Sequence, residues 1–345
     1  MTSIKVAIAS NSLGKSTSGH TLLHKLETAK LHGFDGVEVA IECLEAHASS
    51  FSQSSRASRL RAAATHVDQK AQDLSLSLIA LNPFGAYDGL VNPVEVESRL
   101  EEAELWFDLC RLMRIPIFQI TSCLYPIDPV RITPEVTTIA ANMKRLGLLA
   151  QKYGLLVGYE APAWGTHLNT WQQIHEIIKL VDLPNVCHCL DTFHISAKEA
   201  GDPFSAVAPI RPGGLANLRR SLEEMKRTVT PNQIAYFQLS DAMVADQGQV
   251  GYQRRDLNQP PYMTQSRNCR IFPCEANRGG VLPVLEVAQA VFDLGYTGWV
   301  SMEVFHTDMW NTRSSVPDDW AQRGMASWRE ISFHCGLDRH TNGRL

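Results

Sequence analysis

The sequence contains no apolar run approaching the roughly 18 residues that a membrane-spanning helix needs. Its first residues lack the charged start and apolar stretch of a secretory signal and read instead as a short strand. There is no excess of positive charge. Lys and Arg total 32 against 36 Asp and Glu, a formal net charge of −4, so no broad phosphate-neutralising face for nucleic acid is expected. No CxxC pair occurs among the eight cysteines, at 43, 110, 123, 187, 189, 269, 274 and 335. That argues against a structural zinc ribbon, and mostly apolar surroundings suit free thiols in a reducing cytosol. A glycine-rich dinucleotide turn is missing too. Gly14-Lys15-Ser16 resembles the end of a P-loop, but Ala9 stands where its first glycine belongs.

What is present is apolar and periodic. The chain has 345 residues, 44% hydrophobic and 20% charged, enough for a sizeable core. Short β-rich runs predict strands at Ile4–Ala9, Gly36–Ala40, Leu76–Leu81, Pro116–Thr121, Leu155–Glu160, Val186–Asp191, Ile234–Leu239 and Trp299–Val304. Helical spacing separates them. Examples are Leu22, Leu23, Leu26 and Ala29 before Gly33, and Ile139, Met143, Leu146 and Ala150 between Pro134 and Gly154. Two more are the Leu100–Leu112 stretch and Val284–Leu294, the latter between Pro283 and Gly295. Eight strands alternating with helices predict a (β/α)₈ TIM barrel, one domain over 1–345. His47–Arg61 reads as a loop, and 202–214 and 246–268 as longer loops over the mouth.

A barrel of this kind works at the C-terminal ends of its strands. The last four predicted strands end at Glu160, Asp191, Gln238 and Glu303, with Asp241 shortly after the third of these. A single strand-end carboxylate could simply cap a helix or pair with a lysine. Four oxygen ligands on successive strands call for a cation, because converging carboxylates repel. The donor set suits Mg²⁺, Mn²⁺ or Co²⁺. His194, three residues after Asp191, is the candidate for proton transfer, and His167 a weaker polar candidate. Cys187-His188-Cys189 lies within a strand, where alternation turns His188 away from both thiols, and reads as packing. Arg270, in the segment from Ser266, suits a substrate carboxylate.

These segments resemble the fungal 3-dehydroshikimate dehydratases of the xylose isomerase-like TIM barrel superfamily. The resemblance rests on Tyr159–His167, Leu190–Ile195, Ser266–Arg270, Asn277–Val284 and Gly298–Phe305, and more loosely on Ile8–Gly14 and Gly36–Val39. It implies a divalent-metal-dependent hydro-lyase that turns 3-dehydroshikimate into protocatechuate. Glu160, Asp191, Gln238 and Glu303 would ligate the metal, with Glu160, Glu303 and His194 catalytic. Ser266, Arg270, Glu38, Tyr87 and His167 would contact substrate. A metal on the ketone oxygen would stabilise the enolate left by proton removal. Departures from the family pattern fall at Ile41, at Asn82-Pro83-Phe84-Gly85, at Asn277 and at His306-Thr307-Asp308. They imply a smaller, less polar substrate half and a close analogue as an alternative substrate. The residues alone also allow a sugar isomerase or epimerase, with Glu160 and Glu303 exchanging protons, or a catalytically inactive ligand-binding relative. Partners are expected to be small molecules, without nucleic acid or membrane, and a homo-oligomer is left open.

Overall fold

The computed structural model describes residues 4–203, 205, 207–245 and 257–337. Eight parallel strands close into a barrel: β1 Val6–Ala9, β2 Gly36–Ala40, β3 Ser77–Phe84, β4 Ile117–Thr121, β5 Leu156–Glu160, β6 Val186–Asp191, β7 Ile234–Leu239 and β10 Val300–Met302. Sequence neighbours pair around the ring, and β1 closes it against β10. A two-stranded antiparallel ribbon, β8 Asp241–Ala242 and β9 Arg270–Ile271, stands outside it. The helices are α1 Leu22–Leu31, α2 Ile41–Ala48, α3 Arg56–Asp73, α4 Pro93–Leu112, α5 Val136–Gln151, α6 Trp171–Val181, α7 Thr192–Glu199, α8 Gly214–Thr228, α9 Pro261–Cys269, α10 Val284–Asp293 and α11 Val316–His334. None of the described helices is long and apolar enough to cross a membrane.

The predicted strands all form, with small shifts at their ends. β3 runs three residues further than its apolar run, through Asn82 and Pro83 to Phe84, with an irregular register against β4. The expected loop over His47–Arg61 is a correction. Its first residues finish α2, which buries Cys43, Leu44 and Ala48, and Ser55 caps α3 by accepting from the Ser58 amide. Ser and Ala in that stretch marked a cap and a helix rather than a long connection. The expected 246–268 loop carries α9 in its last part, while 246–256 lie outside the described residues. Gly33 and Gly295 stop their helices at φ of 87° and 85°, a conformation that favours glycine.

Two apolar layers hold the barrel. One lies between strands and helices. The other fills the lower interior and includes Ala7, Ile117, Cys187, Ala235 and Tyr236. Gly158 on β5 makes room for the Tyr236 ring, since a Cβ there would stand 3.2 Å from its Cε1. The thiols of Cys187 and Cys189 belong to the inner layer. His188 points the other way, as alternation predicts, and its ring stacks on His175 of α6 with Nε2 3.1 Å from Nδ1.

Burial, then the neighbouring His175, push the His188 imidazole down to about 3. The unfolded chain therefore binds a proton here below about pH 6.5 that the folded protein refuses, and stability falls as pH drops from there toward 3. His188→Gln should flatten the acid limb of stability against pH by up to about 1.4 kcal/mol per pH unit. Urea unfolding of both proteins between pH 7 and pH 4 measures it, and parallel curves would assign the acid sensitivity elsewhere.

Candidate active site

Above the apolar interior layer the barrel turns polar. Glu38 of β2 is fully buried, and both its oxygens are occupied. Oε1 accepts from Asn82 Nδ2 at 2.7 Å, Tyr236 OH at 2.7 Å and Gln238 Nε2 at 2.8 Å, while Oε2 accepts from Ser301 Oγ at 2.6 Å. Burial pushes this carboxyl up to about 7, against the lowering effect of bonds from Ser301, Tyr236 and Gln238. Glu38 does not reach the mouth, so the expectation that it touches substrate is corrected. It belongs to the floor.

On that floor stand the strand-end groups. Asp191 ends β6 and also starts α7, its Oδ1 accepting from the Phe193 amide at 2.6 Å. Its Oδ2 meets the Arg270 guanidinium. Glu160 ends β5, and its Oε2 accepts from Gln119 Nε2 at 2.7 Å. Glu303 follows β10, accepts from Asn82 Nδ2 at 3.1 Å through Oε1, and lies 3.2 Å from Arg270 Nη1 through Oε2. Burial raises the Glu303 carboxyl well above the usual range. Arg270 opposes that, while Glu38, Glu160 and Asp191 add to it. Burial would lower the Arg270 guanidinium, but the charges of Asp191, Glu303 and Glu160 more than reverse this and hold it protonated.

His194, in the first turn of α7, faces the same space. Its Nε2 is 3.3 Å from Glu160 Oε1 and 3.8 Å from Asp191 Oδ2, and the three side chains form a cluster able to hold a metal ion. Its Nδ1 accepts from the Ala163 amide at 3.1 Å. A neutral imidazole has one lone-pair nitrogen, so that bond places the remaining proton on Nε2. His194 is thus set to donate toward the carboxylates. Ligating through Nε2 would cost it the Ala163 bond, which favours the carboxylates as metal ligands. Among the described residues, Glu160 Oε1 is buried without a hydrogen bond, an oxygen left over for a cation. With Asp191 and Glu303 gathered on the same Arg270 guanidinium, the oxygen donors fit a hard divalent ion.

The mouth is a pocket of about 750 Å³ whose lining includes Lys15, Gln119, Glu160, Trp164, His194, Ser266, Arg270 and Glu303. Several expectations are corrected here. Arg270 lines the mouth as expected, but is already paired with the protein's own carboxylates. The β8–β9 ribbon carries it inward, and it is engaged with Asp191, Glu303 and Ser240 Oγ. Tyr87 is fully buried, its hydroxyl donating to the Asn142 carbonyl at 2.7 Å, away from the pocket. His167 lies in the loop after β5 and does not line the mouth. Gln238 stands level with Asp191 but turns its amide nitrogen to the floor. Asp241 leaves the site altogether. It accepts from the Ala242 and Leu282 amides, and burial pushes it up to about 7. Gln119 and Lys15 were not anticipated. Gln119 was detectable as a lone polar residue inside an apolar strand.

The xylose isomerase-like TIM barrel family model matches residues 26–331, and the chain belongs to that family. Among its relatives is the 3-dehydroshikimate dehydratase of Neurospora crassa, 33% identical over 337 residues, covering 95% of this chain and 93% of that enzyme. A solved xylose isomerase-like TIM barrel/4-hydroxyphenylpyruvate dioxygenase fusion protein is similar with a TM-score of 0.73 at 23% identity. The match covers all of this chain and 45% of the fusion, so the chain spans less than half of that larger protein. The IOLI protein, solved with a binding zinc atom, is similar with a TM-score of 0.69 at 16% identity, over 96% of this chain and 99% of that one.

Arg270→Met removes the guanidinium between two buried carboxylates. The metal-free protein should lose about 3–5 kcal/mol, and added Mn²⁺ should restore more of the melting temperature in the variant than in the wild type. Thermal melts with chelator and with Mn²⁺ check this. Equal metal-free stabilities would show that the guanidinium is not the counter-charge.

Proposed function

We propose that the chain is a divalent-metal-dependent hydro-lyase that converts 3-dehydroshikimate, or a close analogue, to protocatechuate, within one barrel unit spanning 1–345. The observation that carries this reading is the carboxylate-lined mouth with a proton-bearing His194, in a chain similar along nearly its whole length to a 3-dehydroshikimate dehydratase. Glu160, Asp191, Gln238 and Glu303 would hold the metal, which when bound supplies Lewis acidity toward a ketone oxygen. Mg²⁺, Mn²⁺ and Co²⁺ suit the oxygen donors best.

The substrate carries a proton on the carbon between its ketone and a hydroxyl-bearing carbon. Glu160, on the pocket wall, takes that proton on its carboxylate. His194 Nε2–H, 3.3 Å from Glu160 Oε1, holds the hydroxyl on the next carbon, which leaves as water with the proton that Glu160 took, so Glu160 is ionised again and His194 stays neutral. One further ring proton moves to the ketone oxygen, and the ring is aromatic. Ser266 on the wall holds a substrate oxygen. Because Arg270 is engaged with the protein's own carboxylates, the substrate carboxylate falls to Lys15 at the rim. Lys15 pairs with the half-exposed Glu42 at 2.8 Å and lies over the Phe305 and Trp310 rings.

With 3-dehydroshikimate and Mn²⁺, absorbance of an aromatic product should appear and chelator should abolish it. His194→Ala should lower kcat by roughly 10²–10⁴ while Mn²⁺ binding, followed by calorimetry, stays intact. A metal-bound wild type that makes no aromatic product excludes the dehydratase.

Lys15→Met should raise KM for 3-dehydroshikimate about tenfold with kcat little changed, the signature of a contact equal in ground and transition states. An unchanged KM would move the carboxylate to another cation of the mouth.

A further inference from the structure

We propose that Glu38 is a positioning residue that fixes which end of the Gln238 amide faces the metal-binding space. It rests on the metal reading above. An amide side chain has an oxygen at one end and an NH₂ at the other, nearly the same in shape. Only the oxygen can ligate a hard cation. A residue that turned the nitrogen upward would destroy the ligand without disturbing the packing, so something must choose.

Glu38 can make that choice because its Oε1 already accepts from three donors, and a proton on the carboxyl would sit on Oε2. It lies under the site, fully buried, on the strand opposite β6 and β7, and does not itself line the pocket. Its Oε1 draws the Gln238 nitrogen down to 2.8 Å and the Asn82 nitrogen to 2.7 Å. The amide oxygens are thereby turned elsewhere. Among the described residues, Gln238 Oε1 accepts only a thiol, from Cys189 Sγ at 3.2 Å, and Asn82 Oδ1 is buried with no hydrogen-bond partner. The same Asn82 nitrogen also donates to Glu303 Oε1 at 3.1 Å, so one carboxylate below sets the position of another above. Tyr236 and Ser301 in turn hold Glu38, through bonds of 2.7 and 2.6 Å, so its own orientation is fixed before any ligand arrives. Glu38 acts entirely through these neighbours, as outer-shell partners of metal sites do.

The test is metal binding by the full chain, read by calorimetry with Mn²⁺ alone and by the visible spectrum with Co²⁺. Glu38→Gln keeps the size but adds an NH₂ that can donate to the Gln238 oxygen and hold it down. Affinity for Mn²⁺ should fall by about 10–100-fold, with an altered Co²⁺ spectrum. The paired variant Glu38→Gln with Gln238→Glu should recover affinity to within a few-fold, because a carboxylate at 238 presents oxygen whichever way it turns. Wild-type affinity in Glu38→Gln overturns the proposal. So does a loss that the paired variant fails to recover, which would make Glu38 a support of the barrel only. In the wild type, independently of whether any variant folds, the Gln238 side-chain NH₂ should exchange slowly with deuterated water. Its NMR signals are identified by their loss in Gln238→Glu. Fast exchange overturns the proposal as well. A wild type that binds no Mn²⁺ removes the metal reading first, and is distinguished from failure of Glu38 alone by that control.

Discussion

Four carboxyl groups, from Glu38, Glu160, Asp191 and Glu303, sit inside one ring of strands and are almost sealed from water. Like charges so placed cannot all be ionised without compensation. The neighbourhood of the site is arranged around this constraint. The β8–β9 ribbon brings in Arg270, Gln119 crosses from β4 to hold Glu160, and Ser301 and Tyr236 saturate Glu38. His194 offers a proton on the side facing the carboxylates. A divalent cation, as proposed above, would complete the same balance.

The two halves of the interior answer this constraint differently. The lower layer excludes polarity altogether, with small and apolar side chains packed around Tyr236. The Tyr236 hydroxyl is the junction, since its ring belongs to that layer and its oxygen donates to Glu38. Gly158 gives the ring its place. A rigid apolar plug thus carries a polar floor, and the floor carries the site. Strand-end chemistry in this barrel is supported from beneath rather than only from the loops above.

Much of this was legible in the sequence. Parallel strands buried on both faces read as near-continuous apolar runs, so β1 to β7 and β10 stood out, and the barrel made their last residues meaningful. Glu160 and Glu303 line the mouth, and Asp191 is joined to Glu303 through Arg270. Less legible was anything decided by direction. Glu38 lies in the middle of β2 and Tyr87 just beyond the end of β3, and one turns into the floor while the other turns into the helix layer, where the Asn142 carbonyl receives its hydroxyl. Arg270 read as a substrate clamp because an arginine near a mouth commonly is one. Its commitment to Asp191 and Glu303 follows from a ribbon of two residues on each side, too short to show as a period. Gln238 was placed at the right level, but which end of its amide looks up is set by Glu38 200 residues away.

Asp191 divides its two oxygens between two tasks. One holds the amide of Phe193 at the start of α7, and the other faces the charged space with Arg270. The opening turn of that helix, which also bears His194, is therefore clasped by a group that also answers the charge of the mouth. A metal held by Asp191, as proposed, would link filling of the site to the winding of Thr192–Glu199.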